Sequence, residues 1–123
     1  MSGVIIAVVD DMFFASKIRA VAEAVGVEIS FPRSREALVE KARETKPQLI
    51  VVDLHSQKFD PVALGKELKA DEALREVPLV GFFSHVQTEL QRNALDAGFD
   101  QVVPRSVFSR DLPSILTGFT RFT

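Results

Sequence analysis

The chain has no cysteine among its 123 residues, which excludes disulfides, thiolate catalysis and cysteine-based zinc sites. With only two histidines as well, a zinc site lacks its usual ligands. A net charge of −2 offers no basic surface for nucleic acid and no polybasic signal for a membrane. The apolar runs are far shorter than the roughly 20 residues that span a bilayer. These absences predict a cytoplasmic protein whose partners are neither nucleic acid nor membrane.

Several sequence signatures of enzymes are also missing. No glycine-rich loop follows the first apolar run, so the chain has neither a P-loop nor a dinucleotide fingerprint. It also lacks the nucleophile elbow of an α/β hydrolase. The first apolar run has no basic segment before it, which predicts a first strand and not a signal peptide. A hydrophobic fraction of 46% with 26% charged residues is typical of a globular domain, and we expect a single domain over residues 1–123.

The chain is organised around residues 49–54, an apolar run that ends on the carboxylate of Asp53. The run is too short for a helix and β-branched in its middle, which indicates a strand buried on both faces. Such a strand requires a parallel sheet with helices above and below. Because ligands bind at the carboxyl edge of open α/β sheets, Asp53 becomes the first candidate functional residue.

Strand and helix patterns alternate five times along the chain. Strands are predicted at residues 4–9, 27–31, 49–54, 78–83 and 101–104. Helices are predicted at residues 14–25, 34–46, 61–70 and 88–97, and from about residue 109 onward. This alternation predicts an α/β fold of right-handed βαβ units, with helices on both faces of the sheet. Five strands fit a doubly wound parallel sheet in the flavodoxin-like order 2-1-3-4-5.

The carboxyl ends of four neighbouring strands would then bring together Asp10, Asp11, Asp53, Ser84 and Arg105. Carboxylates about 4 Å apart repel by roughly 4 kcal/mol per pair at an effective dielectric of about 20. A Mg²⁺ ion would relieve this repulsion, since it favours carboxylates, a carbonyl, waters and a phosphate oxygen. Arg105 and Ser84 would add groups able to hold phosphoryl oxygens around a nucleophilic aspartate.

These residues resemble the motifs of response-regulator receiver domains over essentially the whole chain. Asp10 and Asp11 match the acidic pair of that family, Asp53 its phosphoacceptor and Ser84 its switch hydroxyl. The stretch Ala97-Gly98-Phe99-Asp100 is similar to the family's turn before the fifth strand. The resemblance implies a signalling module, not an enzyme, in a bacterial two-component phosphorelay.

The resemblance also implies how such a module works. Mg²⁺ would be held by Asp10, Asp11, Asp53 and the backbone carbonyl of His55. A histidine kinase or phosphotransfer protein would donate the phosphoryl group to Asp53, which would change the affinity for a downstream protein target.

The chain departs from the family pattern around the site. Arg105 replaces the family's lysine, and Val102 replaces its aromatic switch residue. His85, a bulky ring beside the switch hydroxyl, is a candidate for blocking the site. The other departures are Ser56, Gln57 and Ser106. They leave open a second hypothesis, a degenerate receiver that serves as a phosphorylation-independent protein-interaction module.

Met12 and Phe13 follow the acidic pair and precede the apolar stripe of the first helix. We expect them to form part of the pocket wall and to pack with the helix. The alternative is a docking patch beside the site.

Overall fold

Strands and helices alternate along the chain in the computed structural model, which describes residues 3–118. The strands are β1 (Val4–Val8), β2 (Glu28–Ser30), β3 (Leu49–Asp53), β4 (Leu79–Phe83) and β5 (Gln101–Pro104). The helices are α1 (Met12–Val25), α2 (Arg35–Thr45), α3 (Pro61–Ala70), α4 (Thr88–Ala97), α5 (Arg105–Arg110) and α6 (Leu112–Gly118). All pairings are parallel, and the order β2-β1-β3-β4-β5 confirms the predicted fold class.

The sheet separates two apolar layers because successive side chains of a strand point to opposite faces. Ile6 and Val8 of β1 pack in the layer that includes residues of α2, α3 and α4. Ile5 and Ala7 pack in the opposite layer, which includes residues of α1, α5 and α6. Phe82 and Phe83 divide between the two layers in the same way, as their adjacent positions predict. Each of the central strands β1, β3 and β4 therefore contributes side chains to both apolar layers.

Local signals fix the ends of most helices at the predicted places. The side chain of Ser34 accepts a hydrogen bond from the Ala37 amide at 3.0 Å, and Asp60 accepts one from the Ala63 amide at 3.2 Å. Such caps satisfy amide groups that have no partner within the helix. Gly98 ends α4 with a φ of 111°, a conformation that side chains other than hydrogen rarely permit.

The prediction of a single last helix from about residue 109 is wrong. A helix begins directly after β5 at Arg105, breaks at Asp111 and resumes at Leu112. Pro113 lies in the first turn of α6, where its missing amide is tolerated, and the expected apolar position Phe119 lies outside the described residues.

The register of the sheet places the functional edge. Asp53 pairs with Phe82, and Val8 pairs with Val52, so the central strands end at nearly the same level. The segments that follow β1, β3, β4 and β5 therefore emerge together. Within residues 3–118, every helix is too short or too polar to cross a lipid bilayer.

Candidate functional site

Asp53 is the last residue of β3, a strand buried along its whole length. Its own exposure is only 8%. One carboxylate oxygen, Oδ1, accepts a hydrogen bond of 2.9 Å from the backbone amide of His55. The other oxygen, Oδ2, accepts no hydrogen bond from any donor in residues 3–118. The carboxylate is thus held in one orientation with one oxygen available for chemistry.

The surroundings of Asp53 favour its neutral form. Burial raises the pKa of the Asp53 carboxyl above its ordinary value, and the negative charge of Asp10 acts in the same direction. The hydrogen bond from His55 and the positive charge of Arg105 oppose this rise without cancelling it. Asp10 and Asp53 therefore share one electrostatic environment, in which a bound cation would be stabilising.

Asp10 is held by the loop that follows β3. Its Oδ1 accepts a hydrogen bond from the Ser56 hydroxyl at 2.8 Å, and its Oδ2 accepts one from the Gln57 amide at 2.7 Å. Ser56 is 8% exposed, and its hydroxyl also accepts a hydrogen bond from the Phe59 amide. The sequence pattern marks Ser56 only as a departure, so its positioning role was not predicted; a hydroxyl three residues past a strand-end aspartate was the available signal.

Asp11 takes a different partner. Its Oδ1 caps α1 by accepting from the amides of Phe13 and Phe14, and its Oδ2 lies 3.1 Å from a guanidinium nitrogen of Arg105. Arg105 also lies over the ring of Phe14, with 3.9 Å between the guanidinium carbon and the ring centroid. The hydrogen bond from Arg105 is the largest cause that lowers the pKa of Asp11. The negative charge of Asp11 is therefore balanced by the guanidinium of Arg105.

The two histidines lie together beside the site. The backbone amide of His85 donates a long hydrogen bond of 3.4 Å to Nε2 of His55, and the two rings are 5.6 Å apart in an edge-to-face arrangement. The His55 ring, being half-buried, influences the ionisation of Asp53. Ser84 and His85 are exposed. Of the two histidines, His55 is thus the one whose charge acts on Asp53.

The donor set suits a hard divalent cation, since it consists of carboxylate and carbonyl oxygens. Among residues 3–118, however, no three His, Cys, Asp or Glu side chains are grouped as a metal site. Asp10 and Asp53 lie in one environment, whereas Asp11 is paired with Arg105. A cation that used Asp11 would therefore compete with the Arg105 guanidinium.

Met12 and Phe13 are exposed, at 74% and 90%. The expectation that they pack with the helix is wrong, because α1 begins at Met12 and turns Phe14 inward instead. Met12 does form a wall, since it lines a groove beside Asp10.

Replacing Asp53 with asparagine is expected to stabilise the fold at pH 7 by about 1 kcal/mol, the size of a typical single-site change. Asparagine keeps the acceptor for the His55 amide but removes the buried charge. Because the folded pKa of Asp53 is higher than its unfolded value of 3.8, its favourable contribution to the free energy of unfolding is fully present below pH 3.8. That contribution is lost as the pH rises through the folded pKa. The advantage of Asp53→Asn should therefore be absent at low pH and grow as pH rises. Urea unfolding across this range measures it, and a variant less stable than the parent at pH 7 would contradict it.

Comparison with known proteins agrees with this architecture. The sequence matches no established protein-family model. It is 30% identical over 80 residues to the response regulator protein VraR of Staphylococcus saprophyticus, a match that covers 65% of this chain and 37% of that protein. The chain thus spans little more than a third of the length of this relative.

Solved receiver structures are similar over almost the whole chain. CheY4 of Vibrio cholerae has a TM-score of 0.80 at 13% identity, covering 94% of this chain and 97% of that one. The magnesium-bound receiver domain of the sensor histidine kinase PA1611 of Pseudomonas aeruginosa has a TM-score of 0.80 at 21% identity, covering 94% and 95%. The Mn²⁺-bound response regulator Rcp1 has a TM-score of 0.76 at 17% identity, covering 92% and 91%. The chain therefore has the fold that these receiver domains share.

Proposed function

We propose that this chain is a two-component receiver in which Asp53 accepts a phosphoryl group and thereby changes the affinity for a downstream protein. The observation that carries the proposal is the state of the Asp53 carboxylate. It lies at the carboxyl end of the central strand, with Oδ1 fixed by the His55 amide and Oδ2 without a donor from residues 3–118. A fixed carboxylate with one free oxygen is suited to nucleophilic attack.

The reaction is the transfer of a phosphoryl group from a phosphohistidine of a kinase or phosphotransfer protein. Oδ2 of Asp53 attacks phosphorus, the N–P bond breaks and an O–P bond forms. The departing imidazole nitrogen keeps the electron pair of the broken bond and takes a proton from water. The products are an acyl phosphate on Asp53 and a neutral histidine on the donor.

Arg105 and Ser84 are proposed to contact the phosphoryl oxygens. Arg105 already acts electrostatically on Asp53, and its planar guanidinium can donate two hydrogen bonds to a phosphoryl group. The new negative charge on Asp53 would then compete with Asp11 for Arg105. The movement of Arg105 from Asp11 to the phosphorylated Asp53 is the proposed change of state. A downstream protein that binds one of the two states more tightly would shift the population toward that state.

Mg²⁺ is proposed to be held by Asp10, Asp11, Asp53 and the backbone carbonyl of His55. When bound, it supplies positive charge that neutralises the carboxylates and the transferring phosphoryl oxygens. Two of the similar solved structures are bound to Mg²⁺ and Mn²⁺ respectively, which supports a divalent cation at this edge of the sheet.

The test is the intact mass of the chain after incubation with Mg²⁺ and acetyl phosphate. The parent chain should gain one phosphoryl group, and Asp53→Asn should gain none. Asp96→Asn is the matched control, because Asp96 is an exposed aspartate of α4 whose loss should leave the gain intact.

Two outcomes would contradict the proposal. An equal gain in Asp53→Asn would place the acceptor elsewhere. The absence of any gain, together with no binding of Mg²⁺ by calorimetry, would favour the phosphorylation-independent interaction module.

A further inference from the structure

A groove of about 540 Å³ has Asp10 in its lining but neither Asp11 nor Arg105. It lies between α1, the segment that joins β2 to α2, and the loop that follows β3. Its apolar surface includes Val9, Ala15, Phe31 and Phe59. The volume lies within the range of small-molecule sites, which is roughly 300–1,000 Å³.

Three cationic side chains line the same groove, namely Arg19, Arg33 and Lys58. All three are exposed, and none forms an ion pair with a carboxylate within residues 3–118. The guanidinium of Arg19 lies over the Phe31 ring at 4.8 Å from the centroid, a contact that keeps this charge at the apolar wall.

Among the described residues, Asp10 is the one carboxylate that lines the groove, and it already accepts hydrogen bonds. Its oxygens accept hydrogen bonds from the Ser56 hydroxyl and from the amides of Gln57 and Lys58. Counted over residues 3–118, the groove therefore has three cationic side chains and one carboxylate that is already hydrogen-bonded, although the whole chain carries a net charge of −2. This local excess of positive charge over an apolar floor is complementary to one kind of occupant.

We infer that this groove binds a small organic anion, whose flat apolar body lies against Phe31, Ala15 and Phe59 and whose acidic group meets Arg33 and Lys58. The inference does not depend on phosphoryl transfer. An occupant would contact Lys58 and Phe59, whose backbone amides are tied to Asp10 and Ser56. The ligand would thus contact the loop whose hydrogen bonds hold Asp10.

The probe is anilinonaphthalene sulfonate, an aromatic anion whose binding is followed by its fluorescence and by calorimetry with the full chain. The double variant Arg33→Gln/Lys58→Gln should bind it about tenfold more weakly, since two charge contacts are lost. Lys66→Gln/Arg75→Gln is the matched control, because it removes one lysine and one arginine that are exposed outside the groove. Its affinity should stay within about twofold of the parent.

A steric variant tests the location independently. Ser16 is exposed on α1 and lines the groove, so Ser16→Trp should fill the space and remove binding without disturbing the core. Phenylnaphthylamine, the same ring system without the sulfonate, should bind far more weakly than the anion.

Three results would overturn the inference. Equal losses in the two double variants would mean that the probe follows net charge alone. Unchanged binding by Ser16→Trp would place the probe elsewhere. Equal affinity for the neutral and anionic probes would show that the cations take no part.

Discussion

Replacement of Arg105 with glutamine is expected to have opposite effects on the two steps proposed for the site. The affinity for Mg²⁺ should rise about fivefold, because Asp11 loses the guanidinium that competes with the cation. The rate of phosphoryl acceptance from acetyl phosphate should fall about 100-fold, the usual cost of removing one donor to a developing oxyanion. Calorimetric titration of the metal and the time course of intact mass measure the two effects separately.

The conservative variant distinguishes charge from shape. Arg105→Lys keeps the positive charge near Asp53 but loses the planar contact with Phe14 and the forked geometry. It should accept the phosphoryl group at a rate within about tenfold of the parent. If Arg105→Gln leaves both metal affinity and rate unchanged, then Arg105 neither competes with the cation nor contacts the phosphoryl group.

Replacement of Phe82 with alanine should cost about 3–5 kcal/mol of stability, the range for deleting a buried aromatic ring. Phe82 is fully buried. Its ring stacks on Phe108 with 4.7 Å between centroids and meets the edge of Phe14 at 5.4 Å. The melting temperature should fall by about 10–20 °C, measured by calorimetry.

Phe82→Leu provides the control for this prediction. Leucine retains most of the apolar volume and should cost about 1–2 kcal/mol. A loss below about 1 kcal/mol in Phe82→Ala would show that neighbouring side chains close the space, and that the aromatic contacts add little.

The fold was predictable because its signals are local and agree with one another. β3 is apolar up to its last residue, Asp53, and the cap of Asp60 with Pro61 in the first turn marks the start of α3. The end of the chain was harder to predict. Arg105 opens a helix directly at the end of β5, and neither a side-chain cap nor a break in composition marks that start.

The sequence predicts which residues lie at this edge of the sheet, but not which of them pair with each other. The order of the strands brings Asp10, Asp53 and Arg105 to one edge. The alternation of strands and helices, together with the flavodoxin-like strand order, predicts that edge. Which oxygen accepts from which donor depends on the path of the loops. The Ser56 hydroxyl donates a hydrogen bond to Asp10, and Arg105 pairs with Asp11 and not with Asp53. These contacts join residues far apart in the sequence, so no local pattern specifies them.

The aromatic packing beneath Arg105 has a consequence for optical spectroscopy. The chain contains ten phenylalanines but neither tyrosine nor tryptophan, so its near-ultraviolet circular dichroism is a pure phenylalanine spectrum that reports fixed side-chain packing. Arg105 lies over the Phe14 ring, which also contacts the rings of Phe82 and Phe108. Any event that moves the Arg105 guanidinium away from the Phe14 ring would therefore change the near-ultraviolet circular dichroism spectrum. The state of the site could then be followed without an attached dye.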